Sequence, residues 1–180
     1  MVEFDKLPNF SKTKTMTYAG IGSRETPSEI LIQMTSFAKE AEKLGYTLNT
    51  GISFGGKEEG ADAAFSKGTT KKNLFSPEKH GTRLLEQKIA KEIHPNPYAL
   101  VRKGNYSLKL MARNTNQVFG DNLDNPVDFV LFWAEETSNP LRCKGGTGQA
   151  VEMARRKGIP TINMINPDWR QKINEIMGII

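Results

Sequence analysis

Two hydrophobic periods alternate along the chain. A short apolar run, Met16–Ile21, is followed by Ile30, Leu31, Met34, Phe37, Ala38, Ala41 and Leu44, spaced at the 3.6-residue period of a helix over Pro27–Leu44. Thr26 stands as its N-cap, Pro27 suits the first helical position, Glu29 completes a T-x-x-E capping box, and Gly45 is the stop. Tyr46–Thr50 reads as a second strand, Ala61–Ser66 as a short helix ended by Gly68, and Lys72–Phe75 as a third strand. Arg83–Ile93 has helical spacing, broken by His94-Pro95-Asn96-Pro97, and Ser76–Asn105 is the least regular stretch. Ser107–Phe119 is again helical. Val127–Trp133, apolar throughout except for Asp128, reads as a central parallel strand covered on both faces. A helix over Gln149–Lys157, a strand over Pro160–Ile165 and a helix over Trp169–Met177 complete the pattern. Met1–Lys14 is polar and reads as a loosely attached leader (residues 1–14) before one domain over 15–180. Strands alternating with helices imply an α/β domain, a doubly wound parallel sheet of order 3-2-1-4-5 whose chain direction switches between strands one and four. Ligands in such sheets bind at the carboxyl ends of the strands, at the switch point.

Composition narrows the class. The chain has 180 residues, enough for one α/β core, and a net charge of +5 carried by scattered lysines and arginines. Cys143 is the only cysteine, which excludes an intrachain disulfide framework and a Cys-rich zinc site. No apolar run approaches the roughly 20 residues of a membrane helix, and the N-terminus lacks the apolar core of a signal peptide. The expectation is a cytoplasmic protein with no membrane partner.

Three glycine-rich turns carry the candidate chemistry. Gly20-Ile21-Gly22-Ser23-Arg24 closes the first strand before a helix, Gly60-Ala61-Asp62 opens the second helix, and Lys144-Gly145-Gly146-Thr147-Gly148 precedes Gln149. Backbone N–H groups and helix N-termini suit anions, Ser23 adds a hydroxyl donor, and Arg24 adds a bidentate, always-charged fork. The pattern fails three common fingerprints. Glu25 replaces the third glycine of G-x-G-x-x-G, and Asn49 and Thr50 stand where a ribose-binding acid is expected; no glycine loop ends in Gly-Lys-Ser/Thr; and G-x-S-x-G is absent. NAD is thereby disfavoured, and neither a cofactor nor a metal is expected.

The same residues resemble the SLOG superfamily, which unites the Smf/DprA-type DNA-processing proteins and the LOG (Lonely Guy) phosphoribohydrolases. The likeness spans about Tyr18–Asn166, with the three motifs in the family's order, and is nearest to small DprA-like SLOG proteins of phages and bacteria. It implies a Rossmann-like fold, a nucleotide or nucleotide-derived ligand, and a homo-oligomer, dimer or higher. Met111-Ala112-Arg113-Asn114 resembles the LOG methionine-x-x-arginine-lysine helix, with Asn114 for lysine. Gly145-Gly146-Thr147-Gly148-Gln149-Ala150-Val151-Glu152 resembles the P-G-G-x-G-T-x-x-E loop, with Lys144 for proline and Gln149 for threonine. In that reading Glu152 stabilises oxocarbenium-like charge while Arg113 holds phosphate or hydroxyls, so that the N-glycosidic bond of a nucleoside 5′-monophosphate is hydrolysed. The alternatives are a non-enzymatic sensor or sponge for a nucleotide signal, and DprA-like single-stranded DNA binding, which the glycine-serine-arginine triplet and the Gly60-Ala61-Asp62 loop favour. The DNA reading is the lesser one, because no aromatic-basic stripe accompanies Tyr98, Tyr106 or Trp133.

Each residue also has a plainer reading. Arg113 borders an apolar stripe and can pair with a surface acid. Glu152 can favour its helix dipole, and Asp62 can do the same for its own helix. Asn114 and Gln117 share the face of Arg113 and either read a base or ribose edge or form a solvated polar face. His80 and His94 lack ligand-spaced partners, Cys143 is a small side chain without a paired base, and Asp128 needs a partner if buried.

Overall fold

The computed structural model describes residues 3–9, 14–94, 96–102, 105–138 and 145–179. Cys143 and Lys144 lie outside the described residues, as does part of the expected leader. Five parallel strands form one sheet: β1 (Thr17–Gly22), β2 (Thr47–Gly51), β3 (Lys72–Phe75), β4 (Phe129–Trp133) and β5 (Thr161–Asn163). Their order is β3-β2-β1-β4-β5, the doubly wound Rossmann-like topology expected from the pattern. β1 pairs with β4 from Tyr18↔Phe129 to Gly22↔Trp133, and with β2 from Thr17↔Thr47 to Ala19↔Asn49.

Strand alternation divides the core into two layers. Tyr18, Phe129, Leu131 and Trp133 pack with α1 (Ser28–Lys43), α2 (Gly60–Lys67) and the C-terminal helix Trp169–Met177. Tyr18 stacks on Phe129 at 5.4 Å between ring centres and meets Phe37 edge-on at the same distance. Ala19, Ile21, Val130 and Phe132 face α3 (Leu84–Ile93), α5 (Asn105–Phe119) and α6 (Gly145–Arg156). A further helix, α4 (Pro97–Arg102), lies within the stretch read as irregular, where Leu100 packs with Ala90, Leu108 and Ala112. The C-terminal helix is α7. Asp128 has the partners its burial requires: it accepts from Thr15 N–H at 2.7 Å and Met16 N–H at 2.8 Å, tying down the start of β1.

Several local readings change. Thr26 is not the N-cap. Its hydroxyl donates to Ser23 O at 2.6 Å, closing the turn after β1, and Pro27 takes the cap position without a side-chain hydrogen bond. The third glycine run does not precede its helix but forms the first turn of α6, with Gly145 at φ 74°. Within the expected leader, Phe4 and Leu7 are buried in the core. Glu92 accepts from the N–H groups of Glu3 and Phe4, and the Lys157 ammonium donates to Leu7 O at 2.8 Å. Residues 3–7 are therefore docked, since an apolar residue every three positions gives this short segment a face to bury.

The glycines of β1 answer to packing. A Cβ on Gly20 would sit 2.7 Å from the Phe65 ring and 2.8 Å from Leu48 Cδ1, and one on Gly22 would sit 2.5 Å from Ala61 Cβ. Bare backbone at these positions lets α2 lie directly against the strand. Gly20→Ala is expected to cost about 1–3 kcal/mol through overpacking, read as a lower urea midpoint at unchanged slope. A midpoint equal to the wild type would contradict this account of the β1 glycines.

Candidate functional site

At the carboxyl ends of β1 and β2 a crevice of about 450 Å³ opens, within the size range of small-ligand sites. Its walls are the turn after β1 (Ser23, Arg24, Glu25), the first turn of α2 (Gly60, Ala61, Asp62), the first turn of α6 (Gly145, Gly146, Thr147), and one face of α5 from Tyr106 to Gln117. Two helix N-termini therefore present their backbone N–H groups around one space. Of the expected binding residues, Gly22, Ser23, Arg24, Gly60, Asp62, Asn114, Gly145, Gly146 and Thr147 line it. Gly20 and Gly148 do not line it, and Gly20 is engaged by Phe65 in the core instead.

The turn after β1 is well fixed. Ser23 N–H donates to Trp133 O at 3.0 Å, and the Ser23 hydroxyl oxygen accepts from Glu25 N–H at 3.1 Å, which leaves its O–H to donate to a ligand. Arg24 is exposed at the rim and makes no hydrogen bond or ion pair among the described residues.

The floor holds a charge pair of a buried guanidinium and a partly buried carboxylate. Arg113 comes from α5 and Asp62 from α2, helices on opposite faces of the sheet, and they meet with Nη1 3.6 Å from Oδ2. Their side chains are 9% and 19% exposed. Gly51 makes room for this arrangement, since a Cβ there would fall 1.5 Å from Arg113 Nη1. In the amide orientation that satisfies its neighbours, the Gln117 oxygen accepts from Gly51 N–H at 2.6 Å and from Arg113 Nη1 at 2.8 Å, while its nitrogen donates to Asn114 Oδ1 at 3.0 Å. Asn114 Nδ2 in turn donates to Gly146 O at 3.2 Å, joining α5 to α6. Arg113 Nε is buried and has no hydrogen-bond partner among the described residues. Burial pushes the Asp62 carboxyl up to about 6, with Arg113 and a hydrogen bond from Thr50 pulling it back down. Burial likewise lowers the Arg113 pKa, and Asp62 opposes that.

Glu152 is placed elsewhere. It is not part of the crevice lining, and it accepts from Arg155 Nη2 at 2.6 Å and from Arg156 Nε at 2.9 Å on its own helix. About two turns into α6, this side chain pairs along its own helix instead of entering the crevice. The pairing of Arg113 with Asp62 and the support from Gly51 were not visible in the sequence, because they join residues 51 positions apart across two layers. Gln117 was visible as a face-mate of Arg113, and its contacts make it a support for that guanidinium.

His80 also has a carboxylate partner that local spacing could not reveal: Nε2 lies 2.7 Å from Asp121 Oδ1. Its pKa is lowered by burial, with Asp121 opposing. Among the described residues no group of three or more His, Cys, Asp or Glu side chains could hold a metal ion, and no helix is long and apolar enough to cross a membrane.

No protein-family model matches the chain, and no curated protein matches it. A search of solved structures finds a similarity to DNA processing protein A from Helicobacter pylori, a protein described for its single-stranded DNA binding mode. The identity is 16%, the match covers 100% of this chain and 78% of that one, and the TM-score is 0.48.

The raised Asp62 pKa has a defined sign. A carboxyl that holds its proton more tightly when folded than when unfolded makes the folded state lose stability as pH rises from the ordinary carboxylate range through about 6, and regain it as pH falls. Relative to Asp62→Asn, the wild type is expected to gain stability between pH 7 and pH 4.5. Parallel denaturation curves at both pH values check this, and a difference that stays flat, or reverses, contradicts the buried position of Asp62.

Proposed function

We propose that the crevice binds a nucleoside phosphate. The observation that supports this reading best is the convergence of the Ser23–Arg24 turn with the first turns of α2 and α6 on one cavity, with the Arg113–Asp62 pair at its floor. The phosphate is assigned to the Ser23 hydroxyl, the Arg24 guanidinium and the N–H groups at the start of α6. Asp62 supplies acceptor oxygens for sugar hydroxyls, with Arg113 holding it in place. SLOG-like nucleotide recognition is consistent with this division of labour.

Binding, rather than turnover, is the activity this geometry supports. The hydrolytic reading relied on Glu152, which pairs with its neighbours on α6 and lies off the crevice lining. A single-stranded DNA reading needs a basic track that continues beyond one nucleotide. The crevice lining instead sets the carboxylates of Glu25, Glu59 and Asp62 against the guanidiniums of Arg24 and Arg113, which favours a mononucleotide.

Titration calorimetry with adenosine 5′-monophosphate, ribose 5-phosphate and adenosine tests the reading. The two phosphates are expected to bind and be recovered intact, with adenosine more than tenfold weaker than its monophosphate. Arg24→Ala is expected to weaken phosphate binding by about 1.5–3 kcal/mol, the range for a hydrogen bond to a charged group. Equal affinity for adenosine and its monophosphate, or an Arg24→Ala variant that binds as well as wild type, would refute the phosphate site.

A further inference from the structure

The crevice has one aromatic wall. Tyr106 is the aromatic side chain among the residues that line it, and it is 51% exposed. Phe54, on the loop after β2, stacks against it with ring centres 4.4 Å apart and planes inclined by 22°. This backing residue is held in position rather than trailing from a free loop. Ser53 N–H donates to Lys57 O at 2.8 Å, Gly55 N–H donates to Glu78 Oε1 at 2.6 Å, and Gly55 and Gly56 take positive φ values of 74° and 72° to make the tight turn. A half-exposed tyrosine, braced on one side by a second ring, is a fixed π surface.

Its spacing from the charged floor is set by the helix. Tyr106, Leu110, Arg113 and Gln117 lie at i, i+4, i+7 and i+11 on α5, and all line the crevice. Seven residues at 1.5 Å each separate Tyr106 from Arg113 by roughly 10 Å along the axis. An aromatic end, an apolar middle and a charged end follow one another along a single helix face.

The two side-chain amides that face the crevice from α5 are already in use. Asn114 spends its amide nitrogen on Gly146 O and Gln149 Oε1, and its oxygen accepts from Gln117. Gln117 is committed to Gly51, Arg113 and Asn114. Stacking without edge recognition tolerates every base, because each presents a π face.

We propose that Tyr106, backed by Phe54, is a nucleobase subsite that accepts purines and pyrimidines alike. The proposal rests on the nucleoside-phosphate reading and goes beyond it by assigning the base end of the ligand and its lack of base selectivity. The shared chemistry is an aromatic base carried on a phosphorylated sugar, and this is supplied by a free mononucleotide or by a strand end.

The test compares ligands that share a phosphate but differ in having a base. Adenosine, guanosine, cytidine and uridine 5′-monophosphates, ribose 5-phosphate and a dT12 oligonucleotide are titrated into wild type, Tyr106→Phe and Tyr106→Ala. Wild type is expected to bind the four monophosphates within about tenfold of one another. Tyr106→Ala is expected to weaken adenosine 5′-monophosphate by roughly 5- to 150-fold, the range for losing one base–aromatic stack, while ribose 5-phosphate affinity stays within twofold and Tyr106→Phe stays near wild type. dT12 losing affinity in parallel with the mononucleotides identifies a strand as a source of the same base. The subsite is overturned if Tyr106→Ala binds the monophosphate as wild type does, if it loses ribose 5-phosphate equally, or if one base is preferred more than a hundredfold. Binding of ribose 5-phosphate with no gain from any base overturns the subsite and leaves the phosphate site standing. Absence of binding by every ligand overturns both.

Discussion

The crevice depends on backbone left bare at the carboxyl ends of two strands. Gly20 and Gly22 on β1 admit Phe65 and Ala61 of α2 on one face of the sheet, and Gly51 at the end of β2 admits the Arg113 guanidinium on the other. Any side chain at these places collides with something that is itself buried. Because both layers close in around the strand ends, a carboxylate from α2 and a guanidinium from α5 meet there at 3.6 Å. That pair is not a strong source of stability, since desolvating two charges offsets much of their attraction. Its consequence is positional: it fixes two polar groups at the bottom of a cavity and leaves one of them, Asp62, with a pKa near 6.

The surrounding walls follow from the same topology. Reversal of the chain between β1 and β4 sets the turn after β1 beside the first turn of α6, as in other doubly wound sheets. The turn is held by Ser23 to Trp133 O, and α6 is held to α5 by Asn114 to Gly146 O. These hydrogen bonds use up the amides that face the crevice from α5. Open to a ligand are the Ser23 hydroxyl, the exposed Arg24, the Asp62 carboxylate, the helix N-termini and the ring of Tyr106.

Much of this was legible from the chain alone. Continuous apolar runs for β1 and β4, helical periods for α1, α3 and α5, and glycine turns at strand ends gave the strand order and about half of the residues that line the crevice. Three kinds of feature were hidden, each for a physical reason. Capping chemistry at Thr26 had two solutions, and the hydroxyl serves the Ser23 turn because Pro27 already sets the helix entry. Side-chain direction decided Glu152, whose place on α6 is one that periodicity does not resolve over a glycine-rich first turn. Long-range pairings, such as Arg113 with Asp62 or His80 with Asp121, join residues dozens of positions apart and carry no local signal. Docking of Phe4 and Leu7 belongs with these, since a short polar-looking segment gives little sign of the core surface it will meet.

Amide chemical-shift mapping during titration with adenosine 5′-monophosphate bears most directly on the central claim that the strand-end crevice is the ligand site. The account predicts saturable shifts concentrated at Ser23–Glu25, Gly60–Asp62, Gly145–Thr147 and along α5 from Tyr106 to Gln117. Shifts confined to the opposite end of the sheet or to the His80–Asp121 contact, or no saturable shifts at all, would contradict it.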